Sequence, residues 1–311
     1  MKKIEFIALV IAVVFFAQLL FFYRGVYSPQ PVNWPDFMSI NINSSKPIEI
    51  EENFTKGSGT VLVDLSHRNN LSERNMNLLF SKVMARGYDV DYLRDSTNLP
   101  MNLSNSSAFV VISPKSLFSK DEVKSVKEFT ERGGKLLMLS EPILENEINS
   151  LATGFGILFR NDYLYNLKEN DGNFKYIYLT DFKDNNITRG LHKIVFYTSS
   201  SVFGNGIIFT NNTTYSSSNG DKGRYSVAVM TDDSQTLAIG DITFLSEPYN
   251  VMDNNRLIEN IADFLAPQAS KAIQADITLN ATNMSNASIS KNETIKIPSN
   301  ATISNMTNKS S

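Results

Sequence analysis

The 311-residue chain contains no cysteine, only two histidines (His67 and His192) and a single tryptophan. Without cysteine it has no disulfide framework, no thiolate metal site and no cysteine nucleophile. Two histidines also exclude a multi-histidine metal centre. Charge of one sign is lacking as well. The 29 Lys and Arg nearly balance 32 Asp and Glu, leaving −3, so nothing electrostatic points to nucleic acid as a partner. What the chain does have is two unusual ends. Between them, residues 55–267 are enough for one sizeable α/β core.

The N-terminus opens Met1-Lys2-Lys3 and is apolar from Phe6 to Tyr23, broken only by Gln18. At 1.5 Å per residue, 18 residues approach the roughly 30 Å of a hydrocarbon core. Residues 1–24 therefore read as a transmembrane anchor. Lys2 and Lys3 place its N-terminus in the cytoplasm and the main domain outside the cell. The alternative is a cleaved signal peptide, with a shorter apolar region and a small-x-small cleavage site. The run ends Phe21-Phe22-Tyr23-Arg24, which offers no such site. Residues 25–54 read as a linker punctuated by Pro29, Pro31, Pro35 and Pro47, with Trp34 placed either to meet the membrane interface or to pack on the domain.

Residues 268–311 read as a disordered tail. From 275 onward, 19 of 37 positions are Asn, Ser or Thr. Every Asn there opens an N-x-S/T acceptor sequon: Asn280, Asn283, Asn286, Asn292, Asn300, Asn305 and Asn308. Eight further sequons stand at Asn43, Asn53, Asn70, Asn102, Asn105, Asn186, Asn211 and Asn212. Glycosylation agrees with the side of the membrane that the anchor implies. The bland alternative is Asn/Ser/Thr bias without modification. No cysteine with dense sequons fits an archaeal surface protein.

The core alternates strand and helix. Thr60–Leu65 is a short apolar run, then Met76, Leu79, Phe80, Val83 and Met84 form one helical stripe over 72–86. Ser72 would cap that helix and Gly87 end it. Tyr88–Leu93 is a second strand, 94–106 a polar loop, and Ala108–Ile112 a third strand. Ser119-Lys-Asp-Glu122 is a capping box opening the next helix, which Gly133-Gly134 stops before a fourth strand, Lys135–Leu139. Short strands follow at 176–179, 194–197, 207–209 and 225–230, then a last core strand from Thr236 and a helix over 254–265. This order predicts an open, doubly wound, mainly parallel α/β sheet, with an antiparallel extension from the middle segment.

Several segments resemble a branch of the glutamine-amidotransferase-like superfamily. Asp64-Leu-Ser-His67-Arg-Asn69 is similar to its D-x-x-H-x-N opening. Arg132–Ser140, Phe155-Gly156-Ile157, Gly240-Asp241-x-x-Phe244-Leu245 and Asn254-Asn255 look like later family segments, together spanning about residues 58–266. The branch includes auxiliary proteins of gliding-type ABC transporters, an intraflagellar transport subunit and prokaryotic membrane proteins. The resemblance implies a flavodoxin-like or amidotransferase-like sheet and, at Ser140-Glu141-Pro142, the place of the nucleophile elbow. No glycine flanks Ser140 to allow a tight elbow. The resemblance thus implies the fold without the chemistry, and a scaffold or ligand-binding role. It also implies a transporter or other membrane-protein partner.

Ligands of open parallel sheets bind beyond the carboxyl ends of the strands. Those ends present Asp64, His67 and Asn69, then Ser113, then Ser140 and Glu141, and finally Asp241 and Thr243. Carboxylates with an imidazole suit a divalent cation or sugar hydroxyls. Equally, strand-end Asp residues cap loops, and His67 can simply orient its loop against Asp64. A sequon at Asn70 would crowd the same rim. Tyr163, Tyr165, Tyr176 and Tyr178 suggest either a carbohydrate-stacking surface or plain strand alternation. No cofactor is expected. The leading reading is a membrane-anchored, extracytoplasmic, non-catalytic binding or scaffold module. The alternatives are a metal-assisted hydrolase of envelope glycan or ester and a small-ligand sensor.

Overall fold

A computed structural model describes residues 2–23, 56–69, 73–142 and 144–267. The linker with Trp34, the Asn70 sequon, the Ser72 cap and the whole glycosylation-motif tail lie outside the described residues. The chain divides into two units, an N-terminal helix and an α/β domain. The helix, α1 (Lys3–Tyr23), is long and apolar enough to cross a membrane.

The domain runs β1 (Gly59–Asp64), α2 (Glu73–Ala85), β2 (Tyr88–Leu93), α3 (Leu99–Ser104), β3 (Ala108–Ile112), α4 (Lys120–Glu131) and β4 (Lys135–Leu139). A short helix, α5 (Asn149–Ala152), leads into brief strands. These are β5 (Leu158–Phe159), β6 (Leu164–Tyr165), β7 (Tyr176–Leu179), β8 (Asp181–Phe182) and β9 (Ile194–Tyr197). They continue as β10 (Val202–Phe203), β11 (Gly206–Phe209), β12 (Thr214–Ser216) and β13 (Lys222–Gly223). Finally, β14 (Ser226–Met230), β15 (Thr236–Ile239) and α6 (Asn254–Leu265) close the domain.

The main sheet has the order β2-β1-β3-β4-β15-β14-β11-β8. The first five strands are parallel, and β14, β11 and β8 add an antiparallel extension. Strand alternation sends successive side chains to opposite faces. Val61, Val63, Val110 and Ile112 join one core with Met76, Leu79 and Val83 of α2 and Ile258 and Ile261 of α6. Leu62, Phe109, Val111 and Met138 join the other with Leu103 of α3 and Val126 and Phe129 of α4. Helices on both faces bury the inner parallel strands, which read as near-continuous apolar runs, whereas the edge strand β2 alternates and exposes Asp89 and Asp91.

The polar stretch 94–106 is not a loop. A 3₁₀ turn at Ser96–Asn98 passes directly into α3, with Asp95 accepting from the Thr97 N–H at 3.0 Å. Pro100 is tolerated because it stands in the first turn, where its missing N–H has no partner to lose. Leu99 and Leu103, four apart, anchor the helix. The capping box that opens α4 is formed in both directions, Glu122 N–H to Ser119 Oγ and Ser119 N–H to Glu122 Oε2.

Gly240, at the end of β15, is fixed by close approach. A Cβ there would lie 2.3 Å from the Ser200 carbonyl oxygen. Ser200 also donates its N–H to the Gly240 carbonyl at 2.8 Å, so this backbone has little freedom to retreat. Gly240→Ala is expected to cost about 1–3 kcal/mol by overpacking. Urea unfolding of the full chain in detergent checks this, and an unchanged midpoint would contradict it.

Candidate functional site

The chain leaves β1 for β2 on one side and β3 on the other, so the crevice between β1 and β3 is the sheet's switch point. Here that crevice is bridged by the chain's own loops. The His67 carbonyl accepts from the Lys115 and Ser116 N–H groups at 3.0 and 3.1 Å. Asn69 Nδ2 donates to the Ile112 carbonyl at 3.1 Å. The loop after β1 is thus tied to the loop after β3 through both backbone and side chain.

Asp64 and His67 hold that loop from within. Asp64 Oδ1 accepts from the Ser66 N–H at 3.0 Å and the Ser66 hydroxyl at 2.7 Å. Asp64 Oδ2 lies 2.9 Å from His67 Nδ1. The other ring nitrogen faces Glu122 Oε1 at 3.5 Å, and the imidazole stacks on Phe118 with centroids 3.6 Å apart. His67 is only 4 % exposed. Burial opposes its protonation, but Asp64 and then Glu122 outweigh burial and raise its pKa above the usual 6.5. Glu122 is held below its ordinary range: burial opposes this, and hydrogen bonds from Ser119 and the nearby His67 charge prevail. Glu122 therefore both caps α4 and pairs with the imidazole, whereas its place in the sequence suggests the cap alone.

The other predicted residues form a second cluster over β4 and β15. Glu141 Oε1 accepts from the Thr243 hydroxyl at 2.9 Å. Fully buried Asp241 accepts from the backbone N–H of Tyr197 and, at 3.3 Å, of Phe244. Burial and the adjacent Glu141 carboxylate raise the Asp241 pKa well above the usual range, against those hydrogen bonds. Burial likewise raises Glu141, opposed by Thr243. Ser113, between the clusters, has φ of 38° and a buried hydroxyl without a hydrogen-bond partner. The eight predicted residues follow the carboxyl ends of the parallel strands, but Asp64, His67 and Asn69 hold one loop, Glu141, Asp241 and Thr243 form a second cluster, and Ser113 and Ser140 join neither. Among the described residues no three His, Asp or Glu side chains are placed to hold a metal ion.

Ser140 lines a groove of about 380 Å³ with Asn146, Asn149, Arg160, Asn161 and Ser200. No histidine lines it. His67 is engaged with Asp64 and Glu122, and His192 is exposed beside Asp253 at 3.7 Å. Ser140 is not among the residues with left-handed backbone, so it lacks the strained elbow of a nucleophile. The groove's other walls escaped sequence reasoning because they come from separate loops with no shared motif. A larger depression of about 440 Å³, lined in part by Lys135, Asn186 and Asp263, lies at the opposite, amino end of the strands.

The four tyrosines fall in two separate strand pairs. Tyr165 stacks on Tyr215 across β6 and β12, with Tyr163 beside it. Tyr176 and Tyr178 belong to the β7–β9 pair, where Tyr176 packs edge-on against Tyr197.

Residues 60–191 match the family described as the IFT52 GIFT domain. Among solved structures, the "mmIFT52 N-terminal domain" is similar at a TM-score of 0.55 and 14 % identity, covering 67 % of this chain and 97 % of that one. A ThuA-like protein from Bacteroides uniformis reaches 0.46 at 11 % identity, covering 72 % and 96 % of the two chains. A Trypanosoma brucei CTPS glutaminase domain reaches 0.37 at 9 %, covering 68 % and 95 %. No curated protein matches the sequence. The α/β domain has the class I glutamine amidotransferase-like fold, and at 14 % identity its likeness to the mmIFT52 domain extends to the fold alone.

Proposed function

We propose that this chain is a non-catalytic binding or scaffold module in the branch that contains the GIFT domain. Its α1 helix anchors it in the membrane, with the α/β domain outside the cell and a glycosylated tail beyond it. Its partner is a membrane protein, such as a transporter or another envelope assembly. The observation that carries this reading is the switch point itself, where a ligand would bind. The chain's own hydrogen bonds close it, and its one buried imidazole sits between two carboxylates. A histidine so engaged is not free to act as a general base. Ser140 has neither a base nor an elbow. The test is exposure of the full chain to a serine-reactive fluorophosphonate, read by peptide mass spectrometry. Ser140 is expected to stay unlabelled. Stoichiometric labelling at Ser140 would sink the non-catalytic reading.

A second reading, a small-ligand sensor, draws on the polar groove with exposed Arg160 at its wall. A thermal-shift screen against simple glycans and small carboxylates tests it. A stabilisation lost in Arg160→Ala would favour it, because a ligand binding only the native state raises the melting temperature.

A further inference from the structure

Strands β6, β12 and β13 form a small antiparallel sheet at the carboxyl rim. Strand alternation divides its side chains between two faces. Leu164, Thr214 and Ser216 point inward and are buried. Buried Asp162 holds them from below, accepting from the Ser216 hydroxyl at 2.6 Å and from the Ser201 N–H at 2.9 Å. The Leu164 N–H donates to the Ser199 carbonyl at 2.9 Å, next to the Ser200–Gly240 contact at the end of β15. The outward residues make one row across the strands, with Lys222 opposite Tyr215 and Tyr215 opposite Tyr165. Tyr163, two residues before Tyr165, stands on the same face, and exposed Phe174 and half-buried Lys175 lie alongside.

The rings spend their faces on one another and on the lysines. Tyr165 and Tyr215 stack with centroids 5.3 Å and planes 15° apart, and Phe174 meets Tyr165 edge-to-face at 6.0 Å. The Lys175 ammonium stands 4.5 Å over the Tyr163 ring, and that of Lys222 stands 5.9 Å over Tyr215. Donor groups are left for solvent. No described residue hydrogen-bonds the hydroxyls of Tyr163, Tyr165 or Tyr215, and none of these hydroxyls is buried. Neither ammonium forms an ion pair among the described residues. The nearby acids Asp171, Glu169 and Asp221 bond Tyr178, Thr213 and Asn219 instead. An ammonium can only donate, and a phenol hydroxyl donates as well as accepts.

We propose that this face docks an acidic peptide segment of the partner protein, whose carboxylates take up the two ammonium groups and the tyrosine hydroxyls. The proposal deepens the binding-module reading and rests on it. Charge complementarity selects the occupant, because two unpaired cations and three free hydroxyls converge with no free acid among them. A stacked sugar would need an open ring face, and the Tyr165–Tyr215 stack and the overlying lysines already occupy those faces. Tyrosine suits a protein interface, since it offers a large amphipathic surface at low conformational-entropy cost. Asp162 and the cross-strand pairing set the rings in place before a partner arrives, which lowers the ordering cost of binding.

The test is fluorescence polarisation of a labelled octaglutamate peptide with the full chain in nonionic detergent at low salt. An octaglutamine peptide and polygalacturonate run alongside. The glutamate peptide should bind, the glutamine peptide should not, and added salt should weaken binding. The double variant K175E/K222E should bind at least about tenfold more weakly while its circular dichroism stays that of the parent. K120E/K124E, the same charge change on α4, should bind as the parent does. Replacing Tyr163, Tyr165 and Tyr215 together by Phe keeps the rings and should weaken binding about threefold or more. That variant decides the matter should K175E/K222E not fold. No binding of the glutamate peptide, equal losses in the two lysine variants, or binding of polygalacturonate alone would overturn the inference. Crosslinking in native membranes separates that failure from failure of the module reading, which stands if the parent retains a protein partner and falls if it has none.

Discussion

Asp64→Ala is expected to destabilise the domain by about 3 kcal/mol, the scale for breaking a buried ion pair by removing one partner. For a domain of this size that lowers the melting temperature by roughly 6–12 °C. The carboxylate has three partners in the loop, the Ser66 N–H, the Ser66 hydroxyl and the His67 ring. Its loss leaves the buried imidazole facing Glu122 alone, at 3.5 Å. The loop that ties β1 to β3 loosens with it. The pH dependence has a definite sign. His67 has a folded pKa above its unfolded value near 6.5, so its protonation stabilises the fold fully below that value. That contribution fades as pH rises through the folded pKa. The gap between parent and Asp64→Ala should therefore narrow on going from acid to mildly alkaline solution. Thermal melts across that range read it directly. A variant at least as stable as the parent would instead mark Asp64 as a residue kept for binding or chemistry at the expense of stability.

The second large effect is on the opposite side of α2. Arg86 is completely buried and joins α2 to α6. It donates to Glu259 Oε2 at 2.7 Å, Asp263 Oδ1 at 2.9 Å and the Lys82 carbonyl at 2.9 Å. Arg86→Ala removes a fully buried side chain and leaves the buried Glu259 with Lys82 as its remaining cation. The expected loss is about 3–5 kcal/mol. Arg86→Met keeps most of the volume without the charge. It should recover only part of the loss unless Glu259 is also replaced, for instance by Gln, because the carboxylate then keeps Lys82 but loses its buried donor. A double-mutant cycle on urea unfolding separates the two terms. Additive single effects would contradict a coupled pair.

Much of the fold was legible because its determinants are local or periodic. Strands β1, β3 and β4 are apolar runs and β2 alternates, each bounded by glycine, proline or helix signals. Ser119-Lys-Asp-Glu122 announces α4, and the stripe from Leu257 to Leu265 announces α6. The misread segment, 94–106, is polar and contains Pro100, both signs of a loop. Its helix depends on burial of Leu99 and Leu103 under a core that no local window reveals. The two- and three-residue strands of the extension owe their pairing to distant partners, such as Tyr215 with Tyr165. At the rim, parallel topology follows from the sequence and puts the strand-end residues at the carboxyl ends of the strands. Sequence could not show that Asp64 and His67 belong to one network and Glu141 and Asp241 to another. It also could not show that Phe118 and Glu122 complete the first. Those contacts depend on how the start of α4 docks against the loop after β1, a tertiary fact without a motif.

The most direct test of the central claim is chemical crosslinking of the full chain in its native membranes, followed by gentle solubilisation and mass spectrometry. The account predicts one defined membrane-protein partner recovered in stable proportion, with crosslinks mapping to the α/β domain. It predicts the same partner for an Asp64→Asn variant that remains folded. Recovery of the chain alone, with no crosslinked protein at any solubilisation condition, would contradict it.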